Sequence, residues 1–346
     1  MPEKLDVLSF LAEAKQYPLI DVRSPAEFER AHIPGAISFP IFTNEERAQV
    51  GTTYKQQGKE QAIELGLEIV GPQLAKWVKQ VKKIAKDGVL LVHCWRGGMR
   101  SGSMAWLFET AGLEVKVLVG GYKAYRNTVL SELAKKIPLL VLGGKTGSGK
   151  TEILIEMKKR GIQVIDLEGL AHHRGSAFGH LGLEEQPSSE HFENLLFHEL
   201  QQMDFKKPIW VEDESRHIGK VFMTESFYER LRESPCLFLD IDAKYRLPHL
   251  VKVYAEYPKA DLLIALEKIK KRLGGQHFQR AVECLEINDF SEVAAITLNY
   301  YDKAYLHGLT QRDDAQIDRL EIHTLDTNLQ VNSVLAHDLA KFNFNI

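Results

Sequence analysis

No stretch of the sequence comes near the roughly 18 consecutive apolar residues that a membrane-spanning helix requires. The first residues, Met1 to Asp6, also lack the basic stretch followed by an apolar stretch that marks a secretory signal. Internal repeats and low-complexity tracts are absent as well. With 346 residues, 44% of them hydrophobic and 26% charged, the chain is expected to be a cytoplasmic globular protein of about two domains that does not associate with membranes.

Cysteine is scarce, and its spacing excludes two common structural uses. The three cysteines, Cys94, Cys236 and Cys284, are odd in number and far apart, so neither a disulfide framework nor a zinc-type ligand spacing is present. Cys236 and Cys284 lie in apolar runs and are predicted to be buried and inert. Cys94 differs, because it is followed by a loop rich in glycine and arginine: Trp95, Arg96, Gly97, Gly98, Met99, Arg100 and Ser101.

Short apolar runs alternate with helical patterns along most of the chain, which is typical of an α/β protein with mainly parallel sheets. We place a domain boundary at Ile137-Pro138, between a first domain over 1–137 and a second over 138–346. Strands of the first domain are predicted at 18–22, 88–93 and 115–119, and helices at 72–86, 101–111 and 122–135. The polar, poorly periodic residues 41–69 receive no structural assignment.

The second domain repeats the alternation and then becomes helical. Its strands are predicted at 139–142, 163–167, 209–212, 236–241 and 320–325, and its flanking helices at 150–160 and 328–342. Residues 243–310 lose the strand pattern and form a predicted helical region, basic and then acidic. Residues 243–282 hold nine basic and three acidic residues, and the crowded cations are Lys268, Lys270, Lys271 and Arg272. Such a segment suits a lid over phosphates or a contact to nucleic acid, and a solvated helical face is the alternative.

Cys94 is predicted to sit between a strand and a helix. Backbone N–H groups and the positive end of the helix dipole would face the loop there, and Arg96 and Arg100 add charge. Such a site favours a thiolate at neutral pH and holds an anion, whether a persulfide, a perselenide or an oxyanion.

The sequence before and after this loop resembles the rhodanese family. Asp-Val-Arg-Ser-Pro-Ala-Glu-Phe at 21–28 and His-Ile-Pro-Gly-Ala at 32–36 look like the opening signature of that domain, and Gly-Gly-Tyr at 120–122 falls in its expected place. The resemblance implies that Cys94 carries a chalcogen as a covalent intermediate. Five residues separate Cys94 from Arg100, whereas simple sulfurtransferases usually have four, which indicates a larger donor or cargo.

A second loop matches the pattern G-x-x-x-x-G-K-[ST] between a predicted strand and helix: Gly144, Lys145, Thr146, Gly147, Ser148, Gly149, Lys150 and Thr151. Its N–H groups would cradle a diphosphate or triphosphate, with Lys150 on the terminal phosphates and the Thr151 hydroxyl on Mg²⁺. Candidate contacts to substrate or Mg²⁺ follow two neighbouring strands: His173, Arg174, Ser176, Glu212 and Asp213. A solvated turn and a polar loop are the alternatives for these five.

The order of the two domains resembles the tRNA 2-selenouridine synthase family, and further matches lie at 47–55, 120–126 and 173–176. The resemblance implies a rhodanese-like domain followed by a P-loop NTPase-like α/β domain with a helical insertion. It implies exchange of the 2-thio sulfur of a wobble uridine for selenium, with selenophosphate as the donor and S-geranylation by geranyl diphosphate as the activating step. The implied partners are tRNAs for Lys, Glu and Gln and a selenophosphate-producing enzyme, with no tightly bound cofactor. The basic segment at 243–282 then becomes a candidate tRNA surface.

Two other classes of function remain open from the residues alone. A rhodanese-fold sulfurtransferase or phosphatase fused to a small-molecule kinase would use the same two loops. A nucleotide-regulated binding protein without chemistry would have no need of a reactive Cys94.

Overall fold

The structure is a computed structural model that describes residues 2–342. It divides into two compact units, Met1–Glu132 together with Glu193–Leu195, and Leu133–Phe192 together with Leu196–Ile346. Among the described residues no helix combines the length and the apolar character needed to cross a membrane.

The first unit is built on a five-stranded parallel sheet. Its strands are β1 (Glu3–Leu5), β2 (Leu19–Asp21), β3 (Ile37–Ser38), β4 (Val89–His93) and β5 (Glu114–Leu118). They lie in the order β1-β5-β4-β2-β3, so the apolar strands β4 and β2 occupy the middle of the sheet. Both central strands are almost wholly buried, which explains their continuous runs of apolar residues.

In the described part of the first unit, from residue 2 on, seven α-helices surround this sheet: α1 (Val7–Glu13), α2 (Pro25–Arg30), α3 (Asn44–Gln56), α4 (Lys59–Val70), α5 (Leu74–Ile84), α6 (Met99–Thr110) and α7 (Gly121–Leu133). Helix α5 places Trp77 and Val81 in the core, and α6 adds Met104 and Phe108. Each of these pairs is spaced i, i+4 and therefore lies on one face of its helix.

The segment at 41–69, which the pattern left unassigned, folds as helices α3 and α4. Helix α3 begins with a reciprocal cap: the Thr43 hydroxyl accepts from the Glu46 N–H at 3.2 Å, and the Glu46 carboxylate accepts from the Thr43 N–H at 2.8 Å. None of the residues of α3 is fully buried, so the helix shows little amphipathic signal in the sequence. A capping box of this kind satisfies the free N–H groups of the first turn.

The second unit has its own five-stranded parallel sheet. The strands are β6 (Leu139–Gly144), β7 (Val164–Ile165), β8 (Ile209–Glu212), β11 (Cys236–Ile241) and β12 (Ile317–Ile322), in the order β12-β11-β6-β8-β7. A separate antiparallel pair is formed by β9 (His217–Ile218) and β10 (Val221–Phe222). The two parallel sheets confirm the predicted α/β fold of both domains.

The described residues that follow α7, up to 342, form nine α-helices: α8 (Lys150–Lys159), α9 (Leu167–Leu170), α10 (Ser189–Leu200), α11 (Glu225–Glu233), α12 (Ala243–Ala255), α13 (Lys259–Leu273), α14 (Gly275–Glu286), α15 (Phe290–Leu309) and α16 (Thr327–Ala336). Helices α12 to α15 confirm the predicted helical region. They enclose a core of their own, in which Cys284 is fully buried as predicted.

Several predicted boundaries shift. The last strand occupies Ile317–Ile322 rather than 320–325, because its six residues pair in register with Cys236–Ile241. The strand predicted at 163–167 shrinks to Val164–Ile165, since α9 begins at Leu167, directly after its cap Asp166. The helix predicted at 328–342 ends at Ala336, and a short 3₁₀ turn follows at Ala340–Phe342.

Candidate functional site

Cys94 follows β4 directly and lies under an exposed loop. The loop residues 95–99 are exposed, but Cys94 itself is only 3% exposed, and its Sγ lies 3.2 Å from the Ser101 Oγ. Helix α6 begins at Met99, two residues earlier than predicted, so Arg100 and Ser101 belong to its first turn. The structure therefore places the sulfur where the amino end of α6 faces it, as the sequence predicted, although deeper than a freely reactive thiol.

The conformation of this loop depends on the turn that precedes α7. The Tyr122 N–H donates to the Cys94 carbonyl at 2.8 Å, and the Lys123 N–H donates to the Trp95 carbonyl at 2.9 Å. Gly121 has φ of +60°, and a Cβ there would overlap the Cys94 carbonyl oxygen and lie 2.5 Å from the Gly97 nitrogen. Only glycine fits this close approach of two backbones. The distant Gly-Gly-Tyr turn is thus part of the cysteine site.

The two arginines of the loop differ in their contacts. Arg100 forms an ion pair with Glu27 of α2, with Nη1 2.8 Å from Oε2, so its charge is already paired within the protein. Arg96 is exposed and has no hydrogen-bond or ion-pair partner anywhere in residues 2–342. The positive charge available at the mouth of the loop is therefore that of Arg96 together with the helix end.

A buried charged network lies beneath the cysteine strand, and the sequence analysis did not assign it. The Arg23 guanidinium donates to Asp21 at 2.5 Å and to the Ala31 carbonyl at 2.7 Å, and it stacks 3.8 Å from the ring centre of Tyr122. His93, which immediately precedes Cys94, is fully buried, and burial lowers its pKa. The Asp-Val-Arg stretch of the rhodanese signature thus braces the strand and the turn that position the sulfur.

The phosphate loop joins β6 to α8 as predicted. Lys150 Nζ donates to the Gly144 carbonyl at 2.7 Å, and the buried Ser148 hydroxyl donates to the Lys145 carbonyl at 2.5 Å. Arg246 of α12 is also buried and donates to the Thr146 carbonyl at 2.9 Å. Hydrogen bonds from two of the loop's own side chains and from Arg246 of the helical region therefore fix the conformation of the phosphate loop.

Glu168, which the sequence analysis did not single out, is the carboxylate nearest the phosphate loop. The Thr151 hydroxyl donates to Glu168 Oε2 at 2.7 Å. Glu214 lies beside Glu168, since a Cβ on Gly175 would meet carboxylate oxygens of both, at 2.7 Å and 3.1 Å. Burial raises the pKa of both carboxyl groups, and the repulsion between them raises that of Glu214 further. The positive charge of Lys150 lowers the pKa of both groups and so acts against these shifts.

The two predicted magnesium contacts at the end of β8 have structural partners instead. Glu212 is fully buried and accepts from the Leu167 N–H at 2.9 Å, and its burial raises its pKa well above the usual range. Asp213 points to the other side: Oδ1 accepts from Arg312 at 2.6 Å, and Oδ2 accepts from Tyr305 at 2.8 Å. Both oxygens of Asp213 thus have partners within the protein, whereas Glu168 is the carboxylate bonded to Thr151. The predicted contacts of Glu212 and Asp213 to substrate or Mg²⁺ stay predictions.

The predicted substrate loop at 173–176 lies against this carboxylate pair. A Cβ on Gly175 would come within 2.7 Å of Glu214 Oε1 and 3.1 Å of Glu168 Oε1, so glycine is required there. His173 is buried, and burial, helped by the charges of His180 and Lys268, lowers its pKa to about 4. It is therefore a neutral ring at pH 7.

The other members of the 173–176 loop face its own backbone and the helical region. Arg174 is exposed and reaches the hydroxyl of Tyr257 at 3.3 Å and the Leu181 carbonyl at 3.2 Å. Ser176 is half-buried, and the N–H of the next residue, Ala177, donates to the hydroxyl of Tyr301 of α15 at 2.9 Å. The loop is thereby tied both to the carboxylates and to α15.

The four crowded cations of α13 have different neighbours. Lys268 Nζ lies 3.4 Å from His180 Nε2, and Lys270 Nζ lies 4.7 Å from the ring centre of Phe278. Lys271 is exposed, and Arg272 lines a cleft between helices. Lys268, Lys271 and Arg272 share one face of the helix at spacings of three and four residues, and their contact to RNA stays a prediction.

The phosphate loop offers the ligands that Mg²⁺ uses beside a bound phosphate. No group of three or more His, Cys, Asp or Glu side chains able to hold a metal occurs within 2–342. Magnesium does not require one, since it commonly takes one or two protein carboxylates and completes its shell with water and phosphate oxygens. The Thr151 hydroxyl and Glu168, in contact at 2.7 Å, fit that kind of site.

A cysteine loop at the end of one parallel sheet and a phosphate loop at the end of another define a two-domain protein that joins a rhodanese-like domain to a P-loop domain. Comparisons with known proteins agree with this class. The family model for the rhodanese-like domain matches residues 5–128. The family model described as the tRNA 2-selenouridine synthase AAA domain matches residues 137–333.

Relatives of known name align with this chain over most of its length. A tRNA 2-selenouridine synthase of Nitrosomonas europaea is 36% identical over 351 aligned positions, which cover 85% of this chain and 90% of that protein. One of Bdellovibrio bacteriovorus is 40% identical, covering 81% of this chain and 72% of that protein. The chain belongs to the tRNA 2-selenouridine synthase family.

Proposed function

We propose that this chain is a cytoplasmic enzyme that modifies the wobble uridine of tRNA by replacing its 2-thio sulfur with selenium. The observation that carries the proposal is the combination of a cysteine loop and a phosphate loop in one chain whose relatives are named tRNA 2-selenouridine synthases. The turn at Gly121 fixes the conformation of the cysteine loop, and the hydrogen bond from Lys150 to the Gly144 carbonyl closes the phosphate loop.

The proposed chemistry explains why both loops are needed. A thiocarbonyl sulfur is a poor leaving group until it is alkylated. In the first step the sulfur attacks C1 of geranyl diphosphate, and diphosphate leaves. In the second step the selenium of selenophosphate attacks C2 of the base, and the sulfur leaves with a proton as geranylthiol. Water then cleaves the Se–P bond, which releases phosphate and leaves 2-selenouridine. Alkylation thus converts the sulfur into a group that selenium can displace.

The phosphate loop is assigned to the diphosphate of the prenyl donor. Its N–H groups and Lys150 stabilise the negative charge that builds up on the departing diphosphate. When bound, Mg²⁺ supplies further neutralisation of that charge, held by Thr151 and Glu168. Burial raises the pKa of both Glu168 and Glu214, which favours their neutral forms and lessens the repulsion that a diphosphate beside them would meet.

The cysteine loop is assigned to the selenium step. Cys94 lies at the amino end of α6, where the helix dipole and Arg96 favour a negatively charged sulfur or selenium. Arg100 remains with Glu27 and keeps the first turn of α6 in place. The donor selenophosphate is larger than a sulfane sulfur, which fits the longer spacing between Cys94 and Arg100.

The test uses purified protein, tRNA that carries 2-thiouridine at the wobble position, geranyl diphosphate and selenophosphate, each donor omitted in turn. Nucleosides are identified by mass spectrometry. We expect S-geranyl-2-thiouridine without selenophosphate and its conversion to 2-selenouridine once selenophosphate is added. tRNAs for Lys, Glu and Gln are the expected acceptors.

Two variants divide the reaction between the loops. Cys94→Ala is expected to abolish selenium transfer and to spare prenylation, whereas Lys150→Ala is expected to impair prenylation first. Loss of both activities in a folded Cys94→Ala protein would contradict this division. An unmodified tRNA under every condition, accompanied by thiosulfate sulfurtransferase, phosphatase or kinase activity, would replace the proposal with the fused sulfurtransferase or phosphatase and kinase.

A further inference from the structure

A cleft with a volume of about 360 Å³ opens between α13, α14 and α15, and neither loop accounts for it. Cationic side chains from all three helices line it: Arg272 from α13, Arg280 from α14 and Lys303 from α15. His277 adds an imidazole, and Glu292 is the single carboxylate in the lining. A pocket of this size is in the range that holds a small ligand or a single nucleotide unit.

The cations of this cleft are not neutralised within the protein. Arg272, Arg280 and Lys303 have no hydrogen-bond or ion-pair partner among residues 2–342. Other arginines of the same unit differ, since Arg246 pairs with Asp302 and Arg312 pairs with Asp213. Three unpaired cations that converge on one cleft from three helices create a positive potential that an anion would relieve.

The floor of the cleft is apolar and partly aromatic. Leu273, Ala295 and Ile296 line it together with Tyr300, whose ring is half-buried. An inorganic phosphate has no apolar surface to pack against these side chains, whereas a nucleotide has both a charged phosphate and a flat ring. Unstacked bases of RNA loops bind to protein in this way, with the base on an aromatic ring and the phosphate on cations.

The cleft is also distinct from the phosphate loop. Glu292, Ile296 and Lys303 follow one another at spacings of four and seven residues, which places them on one stripe of α15. The neighbouring Asp302 turns to Arg246, which holds the phosphate loop, and Tyr305 accepts the Gly144 N–H. A diphosphate at Lys150 would therefore not fill the cleft.

We propose that this cleft binds a phosphorylated nucleotide of the tRNA substrate, with Arg280 and Lys303 on phosphate oxygens and Tyr300 against a base. The inference rests on the proposed function, because it names where the tRNA of that reaction is held. It moves the RNA contact from the run of lysines at 268–271 to side chains that meet in space, and of the four predicted cations it keeps only Arg272.

The test measures tRNA binding by fluorescence anisotropy at several salt concentrations with the full chain. The variant Arg280→Gln/Lys303→Gln removes two cleft cations that are exposed and unpaired, so the fold is expected to survive. The matched control is Lys206→Gln/Lys207→Gln, which removes the same charge from exposed lysines just before β8, at the opposite edge of the sheet from the phosphate loop.

We expect the cleft variant to bind tRNA about tenfold more weakly than the control at fixed salt. The slope of log K against log salt should fall by about 1.4, since each contact to single-stranded RNA contributes about 0.7. Its KM for geranyl diphosphate should match that of the control. Tyr300→Ala should weaken binding without changing the salt slope, and Tyr300→Phe should bind like the unaltered protein.

The outcomes separate this inference from the function on which it rests. If the unaltered protein neither binds nor modifies tRNA, the proposed function fails, and the cleft loses its ligand with it. If the unaltered protein modifies tRNA and the cleft variant binds tRNA as tightly as the control, the inference alone is overturned. A raised KM for geranyl diphosphate with unchanged tRNA binding would also overturn it and would assign the cleft to the prenyl donor.

Discussion

Replacing Asp213 with asparagine tests whether this carboxylate stabilises the second unit or binds a magnesium ion. Its Oδ1 accepts hydrogen bonds from Arg312 at 2.6 Å and from Arg232 at 3.3 Å, and its Oδ2 accepts from Tyr305 at 2.8 Å. Asparagine keeps the shape of the side chain but removes its charge and turns one of the two acceptors into a donor. The new NH₂ group would then face either an arginine or a hydroxyl.

The expected cost follows from the burial of Arg312. Its side chain is fully buried and also donates to the carbonyls of Leu231, Arg232 and Ser234, so it cannot turn to water when Asp213 is lost. Removing one partner of a buried ion pair costs about 3–5 kcal/mol. That is at least about a fifth of the free energy of unfolding of a typical domain, which is about 5–15 kcal/mol. The binding of Mg²⁺ and diphosphate at Thr151 should remain unchanged in whatever protein stays folded.

The assay is hydrogen exchange followed by mass spectrometry, which reports the opening of the second unit separately from the first. Peptides from β8 and β11 should exchange faster in Asp213→Asn by a factor that corresponds to about 3–5 kcal/mol. The double variant Asp213→Leu/Arg312→Met removes both charges and should cost less than the sum of its single variants. Stability within about 0.5 kcal/mol of the unaltered protein, together with loss of magnesium-dependent prenyl transfer, would show that Asp213 is a metal ligand and that this reasoning is wrong.

Three further predictions concern the cysteine loop, the loop at 173–176 and the phosphate loop. Gly121→Ala should lower the thermal midpoint and abolish selenium transfer, whereas Gly112→Ala, which has φ of +90° and no heavy atom within 4 Å of its Cβ, should cost only the strain of about 1–2 kcal/mol and leave selenium transfer intact. Between pH 6.5 and about 4 the unfolded chain binds more protons at His173 than the native protein does, so the free energy of unfolding falls as the pH drops through that range. His173→Asn should therefore make the free energy of unfolding, measured in urea, less dependent on pH there. An unchanged pH dependence would contradict the burial of a neutral ring. Thr151→Val removes a hydrogen bond to a carboxylate worth about 1.5–3 kcal/mol and should slow prenyl transfer at least about tenfold. Thr151→Ser keeps the hydroxyl and should keep the rate of prenyl transfer. Equal rates for the valine and serine variants would show that the hydroxyl has no part in the site.

The sequence predicted the parts of the fold and site that depend on local pattern. The phosphate loop from 144 to 151 and the cysteine loop from 94 to 101 are continuous stretches whose glycines, cations and flanking strands are all visible in one place. The strands Ile209–Glu212 and Cys236–Ile241 are buried on both faces, so their apolar runs marked their ends correctly.

The parts that were missed depend on contacts between distant residues or on signals that were read too coarsely. Glu168 lies in a four-residue helix, and nothing in its neighbourhood shows that Thr151 will meet it. Strand β8 ends at Glu212, and the Glu214 N–H donates to the Glu212 carbonyl at 3.1 Å, so the chain turns at once. Asp213 then faces Arg312 and Tyr305 while Glu214 lies beside Gly175, which an apolar run in the sequence does not reveal. The capping box formed by Thr43 and Glu46, by contrast, was a readable start of α3.

Helix α15 contributes to both of the proposed anion sites of the second unit, and it does so with different sides. One side of the helix stabilises the phosphate loop: Asp302 pairs with Arg246, which donates to the Thr146 carbonyl, and Tyr305 accepts from the Gly144 N–H. The other side carries the cleft with Lys303. Substitutions at Lys303 therefore change the cleft without removing any bond to the phosphate loop. A loss of tRNA affinity in the cleft variant, with the KM for geranyl diphosphate unchanged, would accordingly report the cleft itself and not a distorted phosphate loop.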